Sequence, residues 1–164
     1  MKTGTTMKAK TRTVEAIVEA WAPRVRRDLR IGRKEYEARW ARVQAAMKKK
    51  GYDLGYACGS ELDRSDVAWL AGVFDPIIER YGILVPAEGR PVVVAGSEGG
   101  HVVEEGGRES GAELALLREF QISDEDYRFA KFGTLEDVVG RLVPQRAAKP
   151  VRIAVFSSAQ FVPY

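Results

Sequence analysis

The chain has 164 residues, of which 45% are hydrophobic and 30% are charged, and its formal net charge is +3. It is long enough to bury the core of one domain, and no apolar run approaches the roughly 20 residues that would span a bilayer. A single cysteine, Cys58, excludes an internal disulfide and suits a reducing compartment, so a cytoplasmic location is expected.

The first third of the chain is basic. Residues 1–50 contain 15 Lys and Arg against 5 Asp and Glu, whereas residues 51–164 contain 11 against 18. Residues 1–12 lack periodicity and lack the apolar segment of a secretory signal, which predicts a disordered basic tail. Such charge asymmetry is one mark of a nucleic-acid-binding arm. The basic part lacks the interleaved aromatic residues of a stacking platform, however, which favours a solvated tail and polar helix faces.

Two helices are predicted next. In the first, Thr13 is the expected N-cap and four apolar residues share one face at positions 14, 17, 18 and 21. Residues 13–33 are therefore predicted to be a helical extension that docks on a partner domain or subunit. The segment KEYEARWARVQAAMKKKG is the clearest helix, with Gly51 as its left-handed terminator. Its predicted buried face consists of Tyr36, Trp40, Val43 and Met47.

The remaining segments alternate between strands and helices. YDLGYACGS is a predicted strand, and DRSDVAWLAG is a short helix with Ser65 or Asp66 as its cap and Gly72 as its end. YGILV and PVVVAG, separated by PAEGR, predict an antiparallel hairpin. HVVEEG is a weak helix, AELALLREF fits a strand or a helix, TLEDVVGRLV is a helix capped by Thr134, and VRIAVFS is a strand. This order predicts an α/β domain with a mixed sheet and helices on both faces.

The apolar residues of the short helix and the hairpin are predicted to form the core. Trp69, Leu70 and Val73 would pin the helix to the sheet, and on this interpretation Trp69→Ala would destabilise the fold by about 3–5 kcal/mol. The residues expected to alternate along the hairpin are Ile83, Val85, Val92 and Val94.

The sequence offers little catalytic chemistry. His101 is the only imidazole, and no second His or Cys accompanies it as zinc sites require. A nucleophilic pair would need His101 to meet Ser60, Ser97 or Cys58, which the spacing does not support. GSEGGHVVEEGG matches neither phosphate-binding glycine pattern, and SDEDYRF, at residues 123–129, lacks the calcium-loop frame. The residues alone indicate a globular domain without an active site.

The order and spacing of several segments resemble the N-terminal domain of the creatinase and Xaa-Pro peptidase family. The segments are EYEARWARVQAAMKKKGYD, a strand, DVAWLAGV and ERYGILVPAEGRPVVVAG, and the resemblance covers residues 34–164. In that family a segment like N-I-x-Y-L-T-G-F precedes a hydrophobic hairpin whose turn contains E-G-x-P. The matching residues here are Asp66, Val67, Trp69, Leu70, Gly72, Val73, Glu88, Gly89 and Pro91.

The resemblance implies a mixed-sheet α/β domain with a ribonuclease H-like motif and no metal ligands of its own. It also implies a second, C-terminal domain in which two Asp, one His and two Glu hold a pair of divalent ions, usually manganese, cobalt or zinc. We expect this chain to stop before that domain and to be catalytically silent. Its expected role is to support dimerisation and to shape the active site of a metal-dependent Xaa-Pro aminopeptidase, dipeptidase or creatinase-like amidinohydrolase. The alternative is a nucleic-acid-binding or stand-alone interaction module that uses the basic N-terminal third.

The resemblance also suggests substrate-contacting residues in the segment FDPIIERYG. In the creatine-hydrolysing branch an aromatic residue and an Arg lie shortly before a K-Y-G segment and help to hold the substrate. Ile77 and Glu79 stand in those places here, which argues against creatine. The candidates that remain for contact with the neighbouring subunit's substrate in a homodimer are Phe74, Asp75 and Arg80. The simpler alternative is that Phe74 packs and that Arg80 pairs with an acidic residue.

Overall fold

The structure, a computed structural model, describes residues 13–21, 29–60, 62–73, 79–122, 131–144 and 149–156. The chain divides into one unit of residues 1–30 and a second of residues 31–164. The first unit contains helix α1, Val14–Trp21. The hydroxyl of Thr13 accepts a hydrogen bond from the backbone N–H of Ala16 at 3.3 Å, as expected of an N-cap. No helix in the described ranges has both the length and the apolar content to cross a membrane.

Two helices open the second unit. Helix α2, Arg33–Lys50, buries Tyr36, Trp40 and Met47, and ends at Gly51 with φ of 72°, as the sequence predicts. Helix α3, Ser65–Ala71, ends at Gly72 with φ of 74°. The predicted cap of α3 is wrong: Arg64 occupies the N-cap position, and neither the Ser65 nor the Asp66 side chain caps the helix. Ser65 is already within the helix, and its hydroxyl donates to an Asp63 carboxylate oxygen at 3.0 Å.

The sheet of the second unit has five strands. They are β1, Leu54–Gly59; β2, Tyr81–Pro86; β3, Val92–Ala95; β4, Glu113–Leu116; and β5, Ile153–Val155. Their spatial order is β4-β3-β2-β1-β5. The pairs β1–β2 and β2–β3 are antiparallel, whereas β3–β4 and β1–β5 are parallel. This is the mixed α/β sheet that the sequence predicts.

The later helices connect the parallel strands. Helix α4, Gly100–Ser110, joins β3 to β4, and helix α5, Leu135–Leu142, precedes β5. AELALLREF, which fits a strand or a helix by pattern, forms β4 followed by a short 3₁₀ turn at Arg118–Phe120. Thr134 caps α5 as expected, because its hydroxyl accepts from the backbone N–H of Asp137 and the Asp137 carboxylate accepts from that of Thr134.

Both faces of the sheet are buried, each in its own core. On one face Ile83, Val85, Val93 and Ala95 pack with residues of α2, α3 and α4. On the other face Leu54, Leu84, Val92 and Val94 pack with Phe120 and with α5. The predicted alternation along the hairpin is present, but β2 and β3 divide the four residues between the two cores. The pairing of Ile83 with Val93 and of Leu84 with Val92 produces this division.

Trp69 is not a core residue, which corrects the sequence-based expectation. Its exposed fraction is 43%, whereas Leu70 is 2% and Val73 is 1% exposed. The buried side of α3 is formed by Val67, Leu70 and Ala71. At about 100° per residue, position 69 lies on the side of the helix opposite to this group, so Trp69 faces outward.

Candidate functional site

One end of the sheet carries the only predicted substrate-contacting residue that the described part of the chain includes. Gly59 at the end of β1 pairs with Tyr81 at the start of β2, which pairs with Ala95 at the end of β3. Arg80 directly precedes β2 and is exposed at this end. Phe74 and Asp75 lie outside the described residues.

Glu79 anchors the segment that leads into Arg80. Its side chain is only 3% exposed, and one carboxylate oxygen accepts a hydrogen bond from the backbone N–H of Gly99 at 2.8 Å. Gly99 is the N-cap of α4, where the helix dipole favours a negative charge. The other oxygen of Glu79 has no hydrogen-bond partner among the described residues. Gly96 leaves room for this carboxylate, because a Cβ at that position would lie 2.4 Å from it.

The buried position of Glu79 could not be predicted from the sequence. A glutamate within the segment ERYG is expected to be solvated, since Glu is almost never fully buried unless it is paired. The partner of Glu79 is a backbone N–H twenty positions away. A backbone donor cannot be recognised from the pattern of side chains in the sequence.

Tyr56 and Cys58 lie on β1, and Tyr56 is close enough to Arg80 for the arginine's charge to act on its phenol. Burial raises the pKa of the Tyr56 phenol, a hydrogen bond with the Cys58 side chain raises it further, and the positive charge of Arg80 acts in the opposite direction. Cys58 is itself buried. The arrangement offers an exposed guanidinium that can bind an anionic group such as a carboxylate. It does not offer a nucleophile next to a base.

The other candidate catalytic residues are dispersed. His101 is exposed in the first turn of α4. The hydroxyl of Ser60 accepts from the backbone N–H groups of Leu62 and Asp63, each at 3.3 Å. The hydroxyl of Ser97 is buried without a hydrogen-bond partner among the described residues. None of the hydrogen bonds within the described ranges joins His101 to a serine or to the cysteine.

A divalent metal pair does not fit the described residues of this chain. Within these ranges, no three His, Cys, Asp or Glu side chains lie together as possible metal ligands. A pair of activating ions needs several such ligands. The described residues therefore support no chemical step through a metal.

A second feature lies between α2 and α3. Here a cleft of about 760 Å³ is lined by Ile31, Arg39, Leu62, Asp63, Arg64, Ser65, Ala68 and Trp69. The Arg39 and Arg42 guanidinium carbons lie 5.2 Å and 5.9 Å from the centre of the Trp69 ring system, within cation–π range. At the start of α3, burial raises the pKa of Asp66, and the neighbouring charge of Asp63 adds to the effect.

Asp53, at the other end of the sheet, connects β1 to the segment that leads into β5. One carboxylate oxygen accepts from the backbone N–H of Arg152 at 2.9 Å, and the other accepts from the Lys149 ammonium at 3.1 Å. The hydrogen bond from Arg152, followed by that from Lys149, lowers the pKa of Asp53. Together with Lys48 and Glu88, the Asp53–Lys149 pair borders a cleft of about 520 Å³.

Comparisons with known proteins find similar solved structures. No family model and no curated protein sequence matches the chain. Dipeptidase PepE from Mycobacterium ulcerans is 16% identical over 70% of this chain and 38% of its own, with a TM-score of 0.43. The creatinase/prolidase N-terminal domain of an X-Pro dipeptidase from Streptococcus pyogenes is 11% identical over 73% of this chain and 93% of its own, with a TM-score of 0.42.

A third similar structure is a proline dipeptidase from Streptococcus agalactiae. It is 10% identical over 76% of this chain and 96% of its own, with a TM-score of 0.44. The second of these three structures is a creatinase/prolidase N-terminal domain, the kind of domain that the sequence segments resemble. The chain spans 38% of the length of the Mycobacterium ulcerans dipeptidase chain.

Proposed function

We propose that this chain is the non-catalytic N-terminal domain of a metal-dependent Xaa-Pro peptidase-like hydrolase. It would serve dimerisation and shape the active site of a C-terminal domain. The observation that carries the proposal is that the segments on which the sequence resemblance rests form the expected elements in the expected order. DVAWLAGV forms α3 and its glycine terminator, and the hairpin follows. Within its E-G-x-P turn, Gly89 has φ of 96°, a backbone conformation that favours glycine.

The proposed substrate contacts are Phe74, Asp75 and Arg80, which would reach the neighbouring subunit's active site in a homodimer. Arg80 is supported by its exposure and by the buried Glu79, which holds the preceding backbone against α4. A guanidinium binds a carboxylate through two parallel hydrogen bonds, and a short peptide substrate carries a free carboxylate. Phe74 and Asp75 are proposed from their positions in FDPIIERYG.

The catalytic ions are proposed to lie in the C-terminal domain. Two divalent ions, manganese, cobalt or zinc, would supply an activated water there. The parent protein would then be a cytoplasmic Xaa-Pro aminopeptidase or dipeptidase, or a related amidohydrolase. The described part of the chain adds no observation in favour of the nucleic-acid-binding or stand-alone interaction alternative, so a single function is proposed.

The direct test compares two proteins. One is the 164-residue chain, and the other extends through the reading frame beyond the codon for Tyr164. Hydrolysis of Xaa-Pro dipeptides is measured with manganese, cobalt or zinc added. We expect turnover only with the longer protein. Turnover by the 164-residue chain, or a longer protein that binds the ions and leaves every Xaa-Pro substrate intact, would contradict the proposal.

The same assay tests Arg80. In the longer protein, Arg80→Ala removes a charge-assisted hydrogen bond, so kcat/KM should fall by about ten- to a hundredfold. Arg90→Ala is the matched control, because Arg90 is also an exposed arginine and lies in the hairpin turn at the opposite end of β2. Equal falls in kcat/KM for the two substitutions would show that Arg80 is not part of the substrate site.

A further inference from the structure

The charge of Glu79, inside the protein, calls for a partner that the described residues do not supply. Glu79 is 3% exposed, and none of the ion pairs within the described ranges includes it. Its hydrogen-bond donor is the backbone N–H of Gly99 at the start of α4. The positive end of a helix dipole amounts to about half an elementary charge, so it offsets only part of the negative charge of the carboxylate.

The adjacent Arg80 does not supply the missing positive charge. Arg80 is exposed whereas Glu79 is buried, and the charge of Arg80 acts on the Tyr56 phenol of β1. Successive residues along an extended chain point to opposite sides of the backbone. Burial of a charged group is costly unless the group is paired or bound to a metal ion, so the surroundings of Glu79 favour a bound cation.

Two buried oxygen atoms near the start of α4 have no hydrogen-bond partner among the described residues. They are Oε1 of Glu79 and Oγ of Ser97. The Glu79 carboxylate lies against Gly96, where a Cβ would be 2.5 Å from Oε1, and Ser97 is the next residue in the chain. Buried polar atoms nearly always have a partner, and a bound ion is one such partner when the protein itself provides none. Oxygen atoms are the ligands that hard cations prefer.

The number and the accessibility of these oxygens indicate a small monovalent cation. Calcium and magnesium sites use several oxygen ligands from carboxylates and waters, but within the described ranges no three Asp, Glu, His or Cys side chains lie together. Neither Oε1 of Glu79 nor Oγ of Ser97 is accessible to a water molecule. A sodium ion is smaller than a water molecule, whereas potassium and ammonium ions are about as large, so sodium fits this position best.

We propose that Glu79 and Ser97 bind a sodium ion beside the start of α4, through Oε1 and Oγ, with main-chain oxygens of the loop between β3 and α4 as the remaining ligands. The ion neutralises the buried carboxylate. It also joins three elements, because Glu79 precedes β2, Ser97 follows β3 and Gly99 caps α4. The inference goes beyond the proposed function and does not depend on it, since this chain itself contains both side chains.

The experiment measures thermal unfolding of the 164-residue chain while sodium chloride replaces choline chloride. Choline is too large for the site, and a constant ionic strength keeps the screening of surface charges unchanged. An ion that binds only the folded state stabilises it. The Tm should therefore rise by about 3–5 °C when the sodium concentration exceeds its dissociation constant by about tenfold. Potassium chloride should produce a smaller rise.

Two variants locate the site. Glu79→Gln removes the charge with little change in shape, so its Tm should be the same in sodium and in choline. Ser97→Ala removes one oxygen ligand, so about tenfold more sodium should be needed for the same rise in Tm. Glu98→Gln is the matched control, because Glu98 is an exposed glutamate next to Ser97, and it should keep the wild-type response.

Ser97→Ala keeps the test decisive if Glu79→Gln does not fold, and the width of the sodium NMR signal in the presence of the wild-type chain measures binding without unfolding. A Tm that is equal in sodium and in choline overturns the proposal, because a buried water molecule or a protonated carboxyl would then be the partner of these oxygens. A sodium response that Glu79→Gln retains, or that potassium matches in size, also overturns it.

Discussion

Two tryptophans show how the same residue type takes opposite roles in neighbouring helices. Trp40 on α2 is 6% exposed, and its indole N–H donates to the backbone oxygen of Leu70 at 2.7 Å. Trp69 on α3 is 43% exposed and contacts arginines on its ring faces. Trp40 therefore joins α2 to α3 from within the core, whereas Trp69 covers only their outer surface.

This contrast predicts different effects of removing the two side chains. Trp40→Ala should lower the free energy of unfolding by about 3–5 kcal/mol, because it opens a cavity in the core. Trp69→Ala should lower it by about 1–2 kcal/mol, through lost cation–π contacts and partial burial. Urea denaturation of dilute protein, followed by circular dichroism, measures both. Equal losses for the two variants would show that Trp69 is a core residue after all.

At the scale of the element, α4 is a helix that forms from a glycine-rich segment. The segment carries glycines at positions 100, 106 and 107, which weaken a helix by roughly 1 kcal/mol each relative to alanine. Gly106 allows close packing of α4 on the end of α3: a Cβ there would lie 2.7 Å from the Val73 side chain and 3.1 Å from the backbone oxygen of Gly72. Gly107 meets no such neighbour, because its Cβ would lie 3.5 Å from the Ala112 oxygen.

The two adjacent glycines should respond to alanine with opposite signs. Gly107→Ala should raise the free energy of unfolding by about 0.5–1 kcal/mol, because it restricts the unfolded chain and leaves the packing unchanged. Gly106→Ala should lower it by about 1–3 kcal/mol, because the added methyl group pushes α4 away from α3. Thermal and urea unfolding of the two variants give the values. Stabilisation by both substitutions would mean that α4 does not pack closely on α3.

The sequence predicted elements well where local chemistry determines them. The Gly51 terminator and the Thr134 cap follow from residues adjacent to the helix ends, and both are present. It failed where distant contacts decide. Nothing near Glu79 indicates the backbone N–H of Gly99 that pairs with it. The outward position of Trp69, by contrast, agrees with the local spacing of Val67, Leu70 and Ala71 at i, i+3 and i+4. The contacts of Phe74 and Asp75 with substrate stay predictions.

At the scale of the whole molecule, Asp53 connects three strands at one end of the sheet. Besides the hydrogen bond from Arg152 to its carboxylate, its backbone N–H donates to the Arg152 oxygen at 2.9 Å and its backbone oxygen accepts from Ala87 at 3.0 Å. These bonds tie the start of β1 to the end of β2 and to the residue before β5. The carboxylate makes its bonds in the ionised form, which is why the pKa of Asp53 is lowered.

The stability of the protein should therefore depend on pH through this residue. The folded-state pKa of Asp53 lies below its unfolded value of about 3.9, so the folded state binds fewer protons. The contribution of Asp53 to the free energy of unfolding is fully present above the unfolded-state pKa and is lost as the pH falls through the folded-state pKa. Urea denaturation at several pH values should show Asp53→Asn to be less stable than the wild type at neutral pH, with the difference shrinking in acid.

Asp66→Asn is the control of opposite sign. Burial raises the folded-state pKa of Asp66, so the protonated carboxyl favours folding and the ionised carboxylate opposes it. The stability that the protonated form contributes is lost as the pH rises through that pKa. The variant should be more stable than the wild type at neutral pH, and this difference should also shrink in acid. If the difference in the free energy of unfolding between Asp53→Asn and the wild type does not change with pH, the charge of the carboxylate plays no part in stability.

Burial of both faces of the hairpin has a consequence for how its strands find their alignment. When one face of a strand is polar, a slip by a single residue is penalised because it exposes the apolar set. Here Val92, Val93 and Val94 are all fully buried, so a slip of β3 against β2 would replace valine by valine. Hydrophobicity cannot choose between such alignments. The alignment of β3 against β2 is instead determined by the geometry of the connecting turn, where Gly89 has φ of 96°. An insertion in this turn would exchange the residues of the two cores.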